Sequence, residues 1–272
     1  MPELPEVETL KRSLESTLVN NIIDRLEKRR DNIRYRLSNS LEQDVKAAKI
    51  IMLRRRAKYL IIDLDNAYSI IIHLGMSGRL SIQSNDYSLQ KHDHIIFYLR
   101  NDKKLVFNDS RRFGMIYTIR TYLIETQFFH NIGLEPLSSN VSVTYLKEKF
   151  LKRNMPIKNL LMDNQIMVGI GNIYASESLF LAKIHPCKPS NTLTDEEINR
   201  LILAVQQVLT NSIAAGGTTL KDFVNGDNKA GYFQQQLQVY ARYKQQCLYC
   251  NMIIEKIKQA GRTTFFCSGC QK

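Results

Sequence analysis

The sequence predicts an α+β chain in three parts: an N-terminal helix with an antiparallel β-sandwich or barrel, then a helical region, then a zinc-binding β-hairpin. Three observations carry this expectation. Apolar residues recur at helical spacing near the start and again beyond Pro136, short β-branched runs separated by polar turns occupy the stretch from Ile50 to Ile119, and four of the five cysteines crowd the C-terminal end.

Val7, Leu10, Leu14 and Leu18 are spaced by three and four, which predicts an amphipathic helix beginning right after Pro5. Glu3, Glu6 and Glu8 crowd its first turn, where carboxylates complement the helix dipole. Lys58 to Leu64 and Tyr68 to Leu74 flank Asp65-Asn66, while Ile95 to Arg100 and Lys104 to Asn108 flank Asn101-Asp102, so both pairs read as hairpins. After Pro136, residues Val143 to Leu151, Ile157 to Met162, Ile173 to Ala182 and Ile198 to Ile213 read as helices. The last is opened by Thr194-Asp195-Glu196-Glu197, a capping box, and closed by Gly216-Gly217. Asn225 to Gly231 reads as a mobile loop. The expected divisions are residues 1–135, 136–235 and 236–272.

The chain has 272 residues, of which 44% are apolar and 24% charged, with a formal net charge of +12. That composition excludes a disordered tail and a fibrous repeat. The positive excess points to a polyanion such as nucleic acid, since each phosphate neutralised by Lys or Arg releases counterions. A solvated basic face is the plainer account of the same number. Runs such as Leu60 to Ile62 and Ile70 to Ile72 fall far short of the ~20 apolar residues needed to span a bilayer. The first residues lack the pattern of a secretory signal, so a cytoplasmic location is expected.

Cys247-x2-Cys250 and Cys267-x2-Cys270 form a two-knuckle zinc pattern, with Met252 to Phe266 of a length to make a β-hairpin between them. Four thiolates leave no open coordination position, so one Zn²⁺ here is expected to be structural. Cys187 stands apart as a lone thiol. Such a ribbon serves many kinds of protein, and the chemistry has to come from elsewhere.

One candidate is the amino terminus. If Met1 is removed, Pro2 exposes a secondary amine, and an α-amino group titrates near 7.7–8.0, low enough to be partly unprotonated at neutral pH. Attack on an anomeric carbon would give an iminium, with Glu3 and Glu6 on one helical face to move protons. Taken alone, the same residues describe a simple helix entry.

The wider sequence resembles the bacterial formamidopyrimidine-DNA glycosylase family. The likeness runs in order from Pro2-Glu3-Leu4-Pro5-Glu6-Val7-Glu8-Thr9 through Arg56-Ala57-Lys58-Tyr59-Leu60, Ile72-His73-Leu74-Gly75-Met76-Ser77-Gly78 and Lys91-His92-Asp93-His94. It continues through Arg111-Arg112-Phe113-Gly114, Leu161-Met162-Asp163-Asn164, the block Gly169 to Glu177, the block Gly216 to Phe223 and the terminal cysteines. The resemblance implies an N-terminal β-sandwich domain, a helix-two-turn-helix element over about Ile157 to Ala182, and a zinc-finger hairpin. It also implies a monomeric DNA glycosylase with AP lyase activity, acting on damaged double-stranded DNA that carries 8-oxoguanine or a formamidopyrimidine. The damaged nucleotide must be flipped out before any side chain can reach it.

By that resemblance Pro2 is the nucleophile, Glu3 relays protons, Lys58 lies near the sugar and phosphate, and Arg262 serves the second elimination. Met76, Arg111 and Phe113 fill the hole left by the flipped nucleotide, and His92 and Asn172 hold phosphates. Arg153 stands in for a basic residue where Asn154 departs from the family pattern, and Ser110 departs by replacing a proline before Arg111. Glu6, Lys158, Glu177 and Lys221 match positions close to the flipped base. His92 and His94, on one side of a strand, raise a second metal site as a minor alternative. Rival readings are an endonuclease VIII-like glycosylase for oxidised pyrimidines, which typically has Gly in place of Leu4, and a noncatalytic zinc-ribbon DNA-binding protein.

Overall fold

The computed structural model describes residues 1–218 and 232–272. They form two compact units, one made of residues 1–130 with the described part of 215–232, the other of residues 131–214 and 233–272.

In the first unit, helix α1 (Leu4–Leu18) starts one residue before Pro5, because Pro5 occupies the second helical position, where no backbone N–H is required. Its buried face is Leu4, Val7, Leu10, Leu14 and Leu18, each at most 1% exposed. Each of those side chains contributes roughly 1.5–3 kcal/mol. Eight antiparallel strands follow: β1 (Ile22–Lys28), β2 (Ala48–Arg56), β3 (Tyr59–Leu64), β4 (Tyr68–His73), β5 (Gly78–Ser84), β6 (Asp93–Leu99), β7 (Lys103–Asp109) and β8 (Met115–Arg120). Their order is β5-β7-β6-β1-β2-β3-β4-β8. Only Ile22↔Lys49 and Ile23↔Ala48 join β1 to β2, so this thin seam separates two four-stranded leaves. Phe97, Phe107 and Leu105 from one leaf share a core with Leu60, Ile62, Ile70 and Ile72 from the other, and α1 adds its apolar face to it.

Both expected hairpins form. Leu60 pairs with Ile72 and Leu99 with Lys103. Their turns are closed by Ala67 (φ 64°) and Asp102 (φ 57°) in left-handed conformation. Strand β1 has no counterpart in the sequence reading. A β-bulge between Ile23 and Arg25 shifts its parity, so its buried residues Ile23 and Leu26 sit three apart and lack the alternation expected of a strand.

In the second unit, helices α3 (Val143–Leu151), α4 (Ile157–Leu161), α5 (Asn172–Leu181) and α6 (Asp195–Ala214) follow the expected segments; a short helix in the first unit, α2 (Leu41–Val45), precedes them in the chain. The capping box on α6 is present, with Thr194 N–H donating to Glu197 Oε2 at 3.1 Å and Glu197 N–H to Thr194 Oγ1 at 3.3 Å. Helix α5 packs on α6 through the Tyr174 and Ser212 hydroxyls, 2.6 Å apart. The hairpin β9 (Glu255–Gln259) and β10 (Arg262–Phe266) turns at Ala260-Gly261, both with positive φ. No helix among the described residues is long and apolar enough to cross a membrane.

Candidate active site and nucleic-acid interface

The amino terminus sits at the start of α1. Pro2 is buried, and Glu3, only 3% exposed, is the helix N-cap. The Glu6 carboxylate turns back, accepting from Glu3 N–H at 2.8 Å through Oε2 and from Thr218 N–H at 2.8 Å through Oε1. Gly217 (φ 81°) lies directly against it; a Cβ there would stand 3.2 Å from Glu6 Oε1. Both Glu6 oxygens therefore serve backbone donors, which makes Glu6 part of the frame under the N-terminus.

Lys58 was expected on a strand, but it occupies the tight turn between β2 and β3, where Arg56 pairs with Tyr59 and Ala57 adopts φ 53°. The turn carries its ammonium toward His73 at the end of β4. Burial first, then the charges of Lys58 and Arg34, lower the His73 pKa from 6.5 to about 4. Its Nδ1 accepts from Gly75 N–H at 3.0 Å, so the ring is neutral with the proton on Nε2. His73, Met76, Arg111 and Phe113 line a cleft of about 700 Å³ together with Met1.

Met76 is 42% and Phe113 44% exposed, and the Arg111 guanidinium lies 4.9 Å from the centre of the Phe113 ring. These exposed tips stand on a fixed base. Gly75 (φ 68°) sits so close to Phe113 that a Cβ would be 2.4 Å from its carbonyl carbon. The carboxylate of Asp109, which is wholly buried, accepts from Ser77 Oγ–H at 2.5 Å, Gly114 N–H at 2.8 Å and Arg111 N–H at 3.3 Å. His92 is half-buried just before β6, and its ring centre is 6.1 Å from that of His94. His94 Nε2 is bonded to the Asp109 carbonyl at 2.8 Å, which ties the ring to the backbone. Among the described residues, the cysteine quartet is the sole group of three or more His, Cys, Asp or Glu side chains placed to hold a metal ion.

In the second unit Lys158 is 1% exposed and donates to Asn172 Oδ1 at 2.5 Å, while Asn172 Nδ2 donates to the Thr263 carbonyl at 2.8 Å. This chain ties α4, the first residue of α5 and the C-terminal hairpin together. Glu177 is also interior. Its carboxylate accepts from the backbone N–H groups of Gln238 at 2.8 Å, Val239 at 3.0 Å and Tyr240 at 2.8 Å. Desolvation raises its pKa while those three donors pull it back. Lys158 and Glu177, expected close to the flipped base, are both interior, with the Lys158 ammonium on a neighbouring amide and the Glu177 carboxylate on backbone N–H groups. Arg153 is paired with Asp163 at 2.6 Å. Arg262 opens β10 at the hairpin turn, exposed, with Nη1 3.8 Å from Met162 Sδ. Lys221 lies outside the described residues.

Cys247, Cys250, Cys267 and Cys270 present sulfurs that all lie within 4.8 Å of one another. Cys247 and Cys270 are 3.8 Å apart and Cys250 and Cys267 3.4 Å. A disulfide needs about 2.05 Å, whereas a tetrahedron with Zn–S bonds of roughly 2.3 Å has edges of about 3.8 Å. The quartet fits a tetrahedral metal. Gln271 locks the second knuckle to the helical part, accepting from Cys267 N–H at 2.9 Å and donating to the Ile184 carbonyl at 2.9 Å.

The family model of the formamidopyrimidine-DNA glycosylase N-terminal domain matches residues 1–116, and that of the H2TH domain of the same glycosylase matches residues 132–224. The chain belongs to the formamidopyrimidine-DNA glycosylase family. It is 60% identical to the formamidopyrimidine-DNA glycosylase of Rickettsia bellii over 272 residues, covering all of both chains. Among solved structures it is similar to a Lactococcus lactis FPG mutant in complex with Fapy-dG-containing DNA, with TM-score 0.93, 34% identity and full coverage of both chains. It is also similar to the wild-type Lactococcus lactis protein in complex with DNA containing an oxidised pyrimidine, with TM-score 0.92, 34% identity and the same coverage.

The site residues that escaped the sequence reading are those that hold others. Asp109 and Asp93 are the clearest. Asp93, 1% exposed, accepts from Gln90 N–H at 2.7 Å and Asn108 Nδ2 at 2.7 Å, which shapes the loop ahead of β6. Their one available signal was an acidic residue inside an otherwise apolar β-run.

Proposed function

We propose that this member of the glycosylase family performs base-excision repair, removing 8-oxoguanine and formamidopyrimidines from duplex DNA through a Schiff base on Pro2 and then cutting the strand as an AP lyase. The observation that carries this reading is the cleft that gathers Met1, the residue that precedes Pro2, with His73, Met76, Arg111 and Phe113. Removal of Met1 would bare the Pro2 amine next to the groups that would replace an extruded nucleotide.

Phe113 and Met76 enter the stack while Arg111 hydrogen-bonds the orphaned base, offsetting the few kcal/mol that extrusion costs. With Met1 removed, the Pro2 secondary amine attacks the sugar C1′ and the damaged base leaves with the bonding electrons. Glu3, held at the helix N-cap, protonates the ring oxygen as the sugar opens to the iminium. The iminium acidifies the C2′ hydrogens, so loss of a proton expels the 3′ phosphate, and a second elimination expels the 5′ phosphate. Lys58 and the Arg262 guanidinium stabilise the phosphate oxygens that take up this charge, Arg262 without releasing a proton. His92, Asn172 and Arg153 bind backbone phosphates. Glu6, Lys158, Glu177 and Lys221 lie close to the flipped base.

Zn²⁺ held by Cys247, Cys250, Cys267 and Cys270 closes the hairpin that carries Arg262, and supplies no chemistry to the reaction. Residues 1–135 carry the chemistry, 136–235 the helix-two-turn-helix contacts and 236–272 the finger. The protein works as a monomer in the cytoplasm, at the nucleoid. Incubation with a duplex containing 8-oxoguanine opposite cytosine tests the reading: a one-nucleotide gap with phosphate at both ends is expected. Intact strands, or faster cleavage of an oxidised-pyrimidine duplex, would favour the endonuclease VIII-like alternative or a binding protein.

A further inference from the structure

We propose that Asp109 is the positioning residue that locks the Met76 loop and the Arg111 to Phe113 loop into one wedge, and that it thereby sets how readily a damaged nucleotide is extruded from a duplex. This rests on the glycosylase reading above. Asp109 ends β7 opposite Gly78, the first residue of β5, so its side chain lies between the segment that leads into one strand and the segment that leaves the other. From there Oδ1 accepts the Ser77 hydroxyl and the Arg111 N–H, and Oδ2 accepts the Gly114 N–H. Ser77 Oγ in turn accepts from the same Arg111 N–H at 3.0 Å. The backbone of Asp109 adds a third attachment, its N–H donating to the His92 carbonyl at 3.0 Å and its carbonyl bonded to His94 Nε2.

A carboxylate suits this place because it only accepts, and three donors from two loops converge on it. An amide of the same shape would turn an NH₂ group toward an N–H or O–H donor. The arrangement also holds Arg112 at φ 59°, a conformation that a residue with a Cβ leaves unless its neighbours fix it. The side chains that would enter the stack are exposed while their backbone is anchored, so the loops need not be ordered when DNA binds. None of these bonds involves Pro2, Glu3 or Lys58. Extrusion is thereby separated from the bond-breaking steps.

The test compares two substrates on the full chain with Met1 removed. A duplex carrying 8-oxoguanine opposite cytosine demands extrusion, whereas an abasic site in a single strand has no stack or pair to open. Asp109→Asn is expected to slow excision from the duplex about tenfold or more while leaving incision of the single-stranded abasic site within about threefold. A 2-aminopurine beside the lesion should report a slower opening step in the same proportion. Ser77→Ala removes one of the three donors and leaves the carboxylate in place, so it should give a smaller loss on the duplex alone, and it keeps the proposal open to refutation if the Asn variant does not fold. Equal losses on both substrates, or no loss on the duplex for both variants, would overturn the proposal. Failure of the unmodified protein itself to incise the abasic strand would instead overturn the enzymatic reading on which it rests.

Discussion

His73 offers a quantitative handle on the first unit. Its imidazole is neutral because burial and the neighbouring Lys58 and Arg34 charges penalise the cation, taking the pKa from 6.5 to about 4. The folded chain therefore binds this proton more weakly than the unfolded chain. Stability contributed by the neutral ring is present above pH 6.5 and is lost as pH falls toward 4. Between pH 7 and pH 5 the loss from this one group is roughly 2 kcal/mol, with a ceiling of about 3.4 kcal/mol at still lower pH. His73→Asn keeps an acceptor near the Gly75 N–H and removes the titration. Urea denaturation of both proteins at pH 7 and pH 5 should show the unmodified chain losing about 2 kcal/mol more than the variant. An NMR titration of the five imidazoles gives the direct check, since one resonance, absent in the variant, should move only near pH 4. Equal acid sensitivity of the two proteins, or five resonances that all titrate above pH 6, would refute the reasoning.

Removing zinc with a chelator, or replacing Cys250 by Ser, should abolish DNA binding and incision while most of the far-UV circular dichroism persists, because the quartet organises only the hairpin and its docking to α5. Full activity in a sample shown by mass spectrometry to be free of metal would contradict this. Arg153 is held by Asp163, so binding a phosphate requires it to exchange partners. Arg153→Ala should reduce the slope of log affinity against log salt by about one unit, and an unchanged slope would mark the ion pair as purely structural.

The parts of the fold legible in the sequence are those with local causes. Helix α1 follows from the spacing of Val7 to Leu18, the two hairpins from the polar turns at Asp65-Asn66 and Asn101-Asp102, the α6 start from Thr194 and Glu197, and the cysteine quartet from its two short knuckles. Strand β1 was not legible because its bulge breaks the alternation that would have announced it. The roles of buried carboxylates were hidden for a different reason. Glu6 meets Thr218 across 212 positions and Glu177 meets Val239 across 62, and no local pattern reveals which distant N–H groups a carboxylate will serve. Glu6 and Glu177 match family positions near the flipped base, and each also holds backbone N–H groups that lie far off in the sequence. Lys58 was displaced from strand to turn by the left-handed Ala57, a conformation that alanine seldom adopts and composition does not signal.

The central claim is that the Pro2 nitrogen is the nucleophile, and blocking that nitrogen tests it most directly. A protein that retains Met1, verified by intact mass, has only a delocalised amide at Pro2, which cannot attack C1′. It should bind lesion-containing duplex with nearly unchanged affinity, yet neither excise 8-oxoguanine nor become covalently attached to the DNA when borohydride is added, whereas the processed protein does both. Excision and borohydride trapping at full rate by the blocked protein would contradict the account and move the nucleophile to Lys58.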